Sequence, residues 1–346
     1  MHTGVEKGVG SMGFVTIRDV AREAGVSTTA VSQILHGKGR FSEPTKELVR
    51  RTVQRLGYIP DSRAQAMRSD RTHMVGLLVP DLHNPYFADL VSSMETMLYE
   101  RGVGALIGTS AESVKRQDAY FMRILSQRID GVIAVPQGQV SDGLKAVVKR
   151  ELPLVFVDRR VPGLEQVPYV VSDPKPGLAQ ALKQLKSFGH QRVAYVSHPS
   201  LGSFSVDERT QAFRELAPQV LGPGAAAVYA CDGSSSSQEQ VLSDILDSSA
   251  TAVIFGYSRD AVSLFSLLRG RNIAIGSQLS LISFDDIEVF RLISPKVAII
   301  SQQANRMGRQ GVRILLDRIG SDLEPGSQAV SIATRFQLRD SVGRVA

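Results

Sequence analysis

Nine short apolar runs fall between residues 74 and 285, and amphipathic stretches separate several of them. They read "MVGLLVP", "GALIGTS", "GVIAVP", "LVFVD", "PYVVSD", "RVAYVSH", "AAVYACD", "TAVIFG" and "LSLISFD". No other feature of the chain restricts its fold as tightly. Runs this apolar suit strands covered on both faces, and stretches with a 3.6-residue period suit the helices that cover them. One such stretch, "NPYFADLVSSMETMLYERG", offers Asn84 as N-cap and Pro85 at the first helical position. It turns Phe87, Leu90, Val91, Met94 and Leu98 inward. This alternation predicts parallel sheets with helices on both faces. The strand count is high for one sheet, so two similar sheets facing a cleft are expected. Sheets of this kind bind ligands beyond the carboxyl ends of their strands. Those ends carry Asp81, Asn84, Asp158, Asp173, His198, Asp232 and Asp285.

Of 346 residues, 43% are apolar and 21% charged, an ordinary globular balance with room for two or three domains. Cys231 is the only cysteine, which excludes an intrachain disulfide and fits a reducing compartment. No apolar run approaches the roughly 20 residues that span a bilayer. Residues 1–13, "MHTGVEKGVGSMG", lack the apolar stretch of a secretory signal. A cytoplasmic location without a membrane partner is therefore expected.

The net charge of +6 is concentrated at the front of the chain. Residues 14–72 hold eleven basic and six acidic residues, an excess of five, whereas residues 73–346 carry only +1. A basic head on a near-neutral body is the pattern of a nucleic-acid-binding module, although charge alone also fits a solvated surface. The residues separate the two readings. Thr16 is placed to cap a helix over about 17–24, with Val20 and Ala24 on its inner face and Gly25 as its stop. Ser27 is placed to cap a second helix over about 28–35, with Val31, Ile34 and Leu35 inward. A third pattern, "SEPTKELVRRTVQRLG", has Ser42 as cap, Pro44 in the first turn, Val49, Val53 and Leu56 as its stripe and Gly57 as its end. Three such helices share one small core and leave the start of the second outward. That is the helix-turn-helix arrangement, whose second helix enters the major groove. Thr28, Thr29, Ser32, Gln33 and His36 would then be exposed, and Gln33 has the amide that reads adenine.

At this point the chain resembles a family. "VTIRDVAREAGVSTTAVSQILHG" and "EPTKELVRRTVQRLGYIPDSRAQAMRS" are similar to the headpiece of the lactose repressor (LacI/GalR) family of bacterial transcription regulators, without a gap from Val15 to Gly76. The resemblance implies that Thr16 and Thr45 hold phosphates while Thr28, Thr29 and Gln33 face bases. The full set of candidate DNA contacts adds Ser27, Ser32, His36, Arg40, Tyr58, Ala64 and Met67. Many members carry arginine where this chain has Gln33. In the family, the linker folds into a hinge helix on DNA and wedges a leucine into the minor groove. Met67 stands at that leucine position.

The resemblance implies a core like periplasmic sugar-binding proteins, crossed three times by the chain, with a small effector between its subdomains. Tyr86 and Phe87 of "NPYF", Arg209 of "ERTQAF" and Asp285 of "ISFDD" match the family's effector-site positions. Asp173, Ser203 and Ser258 complete the candidate set. Where many members have "AND", this chain has "GYSRD", so Ser258 and Arg259 replace an amide and an acid and Arg259 brings a cation to that rim. The expected divisions are a leader over 1–13, a headpiece over 14–59, a hinge over 60–73 and an effector-binding and dimerisation core over 74–346. Within the core, one subdomain is expected over about 74–172 and 303–328, the other over about 173–302 and 329–346.

Other function classes find little support. "GVGSMG" at 8–13 has dinucleotide-site spacing but no strand before it, and Met12 beside it is a candidate alternative start. No P-loop, zinc-protease motif or nucleophile elbow occurs, the six histidines are scattered, and neither a metal nor a cofactor is called for. The expected partners are a near-palindromic double-stranded operator, a small-molecule effector and a second copy of the chain. The rivals are a small-molecule-binding protein whose head makes protein contacts, and an oxidoreductase.

Overall fold

The computed structural model describes residues 15–59, 71–200, 204–320 and 328–345, in two units that divide after Thr72. The hinge positions Ala64 and Met67, the leader and Ser203 lie outside the described residues.

In the first unit, α1 (Ile17–Ala24), α2 (Thr28–Leu35) and α3 (Glu43–Leu56) follow the expected capping chemistry. The Asp19 carboxylate accepts from the Thr16 N–H at 3.0 Å and the Thr16 hydroxyl at 2.7 Å, fixing the first turn of α1. Gly25 ends α1 at φ 65°, in the left-handed region that glycine enters without a Cβ clash. The Ser27 hydroxyl accepts from the Ala30 N–H at 3.1 Å and starts α2. Val20, Val31 and Val49, all fully buried, join the three helices in one small core.

The second unit contains two six-stranded sheets. The first has β1 (Met74–Val79), β2 (Gly104–Thr109), β3 (Gly131–Ala134), β4 (Leu154–Val157), β5 (Tyr169–Asp173) and β11 (Ala329–Ala333), in the order β11-β5-β4-β3-β1-β2, all parallel. The second has β6 (Val193–Ser197), β7 (Ala226–Ala230), β8 (Ala252–Phe255), β9 (Ser280–Phe284), β10 (Ala298–Ser301) and β12 (Arg335–Gln337), in the order β12-β10-β9-β8-β6-β7. Strand for strand the orders are the same; only β12 runs antiparallel. Each sheet is covered on both faces. Against the first, α4 (Pro85–Tyr99) and α12 (Ala304–Gly320) bury Leu90, Met94, Leu98, Met307, Val312 and Leu315 on one side. On its other side α5 (Val114–Ser126) and α6 (Asp142–Lys149) bury Phe121, Ile124, Leu144 and Val147. Against the second, α7 (Lys175–Ser187) and α8 (Phe204–Leu221) pack on one face. α9 (Ser235–Asp247), α10 (Ser258–Gly270) and the single turn α11 (Val289–Leu292) pack on the other.

All nine expected strands are present, and three more join them: β10, β11 and β12. Two of these, β11 and β12, are short and mostly exposed edge strands, which hides them in the sequence. β11 also corrects the expected subdomain boundary. Residues 329–333 pair in parallel with β5, so they extend the first sheet, and the chain crosses to the second only at Thr334. The other crossings fall between β5 and α7 and between β10 and α12. Among the described residues, no helix is long and apolar enough to cross a membrane.

Candidate functional site

Two surfaces carry candidate chemistry, one in each unit. In the first unit Thr28 and Thr29 are exposed in the first turn of α2 and Gln33 is exposed in its second half, with Thr16, Ser27, His36 and Arg40 exposed around them. Thr45 and Tyr58 are half-buried; the Thr45 hydroxyl lies 2.8 Å from the Ser42 hydroxyl, and Tyr58 packs on the helical core. Ser32 departs from expectation. It is 8% exposed, because this face of α2 turns toward the other helices together with Val31, so Ser32 is not part of the outer edge. Every carboxylate of the described headpiece is in an ion pair: Asp19 with Arg22, Glu23 with Arg55, Glu43 with Lys46 and Glu47 with Arg51. Among the described residues Arg18, Lys38, Arg40 and Arg50 are left with no ion-pair partner. Positive charge thus remains around a row of short hydroxyl and amide side chains.

In the second unit the carboxyl ends of the two sheets face one another. Asp158 follows β4 and Asp285 follows β9, equivalent positions in the two strand orders. Both are buried, and both take positive φ, 64° and 67°. Aspartate tolerates this left-handed region better than most non-glycine residues, and the two carboxylates share it at equivalent strand ends. The Tyr86 hydroxyl donates to Asp158 Oδ1 at 2.7 Å, and Gln302 Nε2 donates to Asp285 Oδ1 at 2.7 Å. Arg209, 4% exposed, donates to the Gly256 carbonyl at 2.7 Å and lies over the Phe284 ring at 4.8 Å. Arg159, 6% exposed, makes a two-pronged bond to Glu112 at 2.7 and 2.8 Å. Burial raises the Asp285 carboxyl above its ordinary range, and the Arg209 charge opposes that rise. Burial, reinforced by the charges of Asp158 and Asp285, pushes the Tyr86 hydroxyl far up, so it stays protonated as a donor. Across the same cleft, Arg259 meets Asp81 at 3.5 Å and Arg160 meets Glu208 at 2.6 Å. Two buried carboxylates, two buried guanidinium groups and a fixed phenol between facing sheets can grip a small polar molecule by charge-assisted hydrogen bonds.

Comparison with known proteins matches both halves. Residues 16–61 fit the family described as bacterial regulatory proteins, lacI family, and residues 182–342 fit a periplasmic binding protein-like domain. The chain thus carries the DNA-binding domain of the lacI family of bacterial regulatory proteins ahead of a periplasmic binding protein-like domain. It is 28% identical over 337 residues to the HTH-type transcriptional repressor PurR of Vibrio cholerae, covering 95% of this chain and 98% of that one. A structure of the lac repressor dimer bound to operator and an anti-inducer shares its fold at TM-score 0.82, with 21% identity over 96% of this chain and 100% of the other. The regulator CelR, solved in complex with cellobiose, is 27% identical at TM-score 0.66, over 94% and 99% of the two chains. With both domains in one polypeptide, the chain is a DNA-binding transcription regulator with an effector-binding domain.

Within this core, four of the expected effector contacts converge. Tyr86, Phe87, Arg209 and Asp285 line one cavity, together with Asn84, Glu112, Asp158, Arg159, His198, Tyr257 and Gln302. Ser258 sits behind the wall, fully buried, its hydroxyl 3.4 Å from Asp285 Oδ2. Asp173 does not join them. Its carboxylate accepts from the Lys175 N–H at 2.9 Å at the start of α7, and it lines a separate cavity with Arg160, Tyr169 and Glu215. β5 lies beside the edge strand β11, away from the point between β1 and β3 where the strand order reverses and ligands collect. Asp158, Asn84 and His198 were visible in sequence as strand-end polar groups. Glu112, Arg159 and Gln302 carried no motif; the repeat of one strand order in both sheets is the signal that pairs Asp158 with Asp285.

Proposed function

We propose that the chain is a cytoplasmic, homodimeric repressor that binds a near-palindromic operator and is controlled by a small polar effector held between its two core subdomains. Thr28, Thr29 and Gln33 read base edges, while Thr16, Ser27, His36, Arg40, Thr45 and Tyr58 position the headpiece on the backbone. Tyr86, Phe87, Arg209 and Asp285 hold the effector, with Ser258 supporting Asp285. The observation that carries the reading is the exposed Thr28–Gln33 edge on a capped helix, flanked by cations without ion-pair partners. Relatives whose names are transcriptional repressor and a relative solved with cellobiose support a non-catalytic, effector-responsive role.

Binding-site selection with the purified full-length chain should return two related half-sites about one helical turn apart. Operator affinity should fall steeply as salt rises, because phosphate contacts release condensed counterions. Selection of no common sequence, or an affinity indifferent to salt, would leave a small-molecule-binding protein without a DNA role.

A further inference from the structure

The cavity bordered by Tyr86, Asp158, Arg209 and Asp285 measures about 30 Å³, room for about one water molecule. A larger cavity of about 410 Å³ opens beside it past Tyr86, Asp285 and Gln302, so on the Arg159 side a metabolite gains room when a wall side chain leaves. Glu112 is the wall group placed to do so. The Arg159 side chain is 6% exposed and that of Glu112 27%, so the guanidinium belongs to the interior and the carboxylate to the rim. Glu112 also rides on strained backbone, since it and Ala111 take φ of 54° and 46° in succession. Three N–H donors hold it there: Arg159 Nη1 at 2.7 Å, Arg159 Nη2 at 2.8 Å and Gln137 Nε2 at 3.0 Å. Nε of the same guanidinium is buried without a hydrogen-bond partner, Asp158 Oδ2 being 3.8 Å away. Together these donors form an oxyanion receptor that the chain fills with its own side chain.

We propose that Glu112 is an internal stand-in, and that the effector bears a carboxylate or phosphate group that replaces Glu112 on the Arg159 fork. This rests on the cleft being the effector site. Charge favours an anion over a neutral ligand: exchanging one carboxylate for another oxyanion leaves the local balance unchanged. A neutral ligand would leave the buried guanidinium with only Asp158, 3.8 Å from Nε and already bonded by Tyr86, to balance its charge.

Full-length Glu112→Ala lacks the stand-in and tests the idea. Sodium acetate and inorganic phosphate, each added at constant ionic strength, should raise its melting temperature saturably, with half-saturation at least tenfold lower than for the unsubstituted chain. Whichever anion saturates first identifies carboxylate or phosphate as the preferred group, and glucose should produce no shift. Adding Arg159→Met should abolish the response. An equal anion response with and without Glu112, or one that survives Arg159→Met, overturns the proposal. Should Glu112→Ala not accumulate folded, Glu112→Gln preserves the volume and permits the same comparison. Operator affinity measured in parallel separates the two levels. Anion binding that leaves operator affinity unchanged defeats the effector reading of the cleft; failure of the anions to bind defeats the receptor alone.

Discussion

Gln33 and Asp286 show how differently a single side chain can matter in this protein. Gln33 is exposed on α2, and its amide can pair with adenine through two hydrogen bonds. Gln33→Ala should cost about 1–3 kcal/mol of discrimination at one base pair per half-site while leaving stability unchanged. A binding-site selection with the variant would show that position relaxed. Asp286 is a structural counterpart. Burial acts against its charge, but bonds from Arg291 at 2.8 Å and Arg339 at 2.6 Å outweigh it and hold the carboxyl below its usual 3.8. A carboxyl lowered in the folded state stabilises above its unfolded value, and that contribution disappears as pH falls through the folded value. Asp286→Asn should therefore cost about 1–2 kcal/mol at pH 7 and almost nothing near pH 2, read by urea unfolding at both pH values. Ser32 marks the limit of reading residues from sequence. Its polarity suggested the outside, yet a short hydroxyl side chain fits between packed helices as easily as it faces a groove.

The elements were more legible than the contacts between them. Caps and stops are local chemistry, and so Ser27, Ser42, Asn84 and Gly25 fix helix ends where the sequence places them. Replacing Ser27 by Ala should destabilise the headpiece by about 1 kcal/mol, visible as a lower headpiece transition in thermal unfolding. Central strands were equally plain, since β1, β3, β4 and β8 are buried along nearly their whole length. The three C-terminal strands β10, β11 and β12 were not. The burial of β11 alternates with exposure, and its partner β5 lies far back in the chain, so no local window reveals the pairing. The site suffers from the same non-locality. Arg159 reaches Glu112 across 47 positions, and Gln302 reaches Ser172 across 130. Arg259 was expected at the rim and is there, but its charge meets Asp81 of the opposite subdomain.

For the whole molecule, the three passages between the sheets matter more than either sheet. Gly177 approaches Thr334 so closely that a methyl group there would sit 2.7 Å from the threonine hydroxyl and 2.7 Å from Ile300. Gly177→Ala should destabilise the core by about 1–3 kcal/mol, measured by urea unfolding, because backbone and side chains must shift to admit it.

Those passages are also bound to one another. The Thr334 hydroxyl donates to the Asp173 carbonyl at 2.8 Å, the Ser172 hydroxyl donates to Gln302 Oε1 at 2.6 Å, and Gln303 Nε2 donates to the Ala333 carbonyl at 2.6 Å. Each segment is thereby fastened to both others, like three cords knotted at one height. The lobes can pivot about that knot, but no single cord can slip alone. Because Gln302 grips Asp285 with its other end, whatever tugs on that carboxylate pulls directly on the pivot.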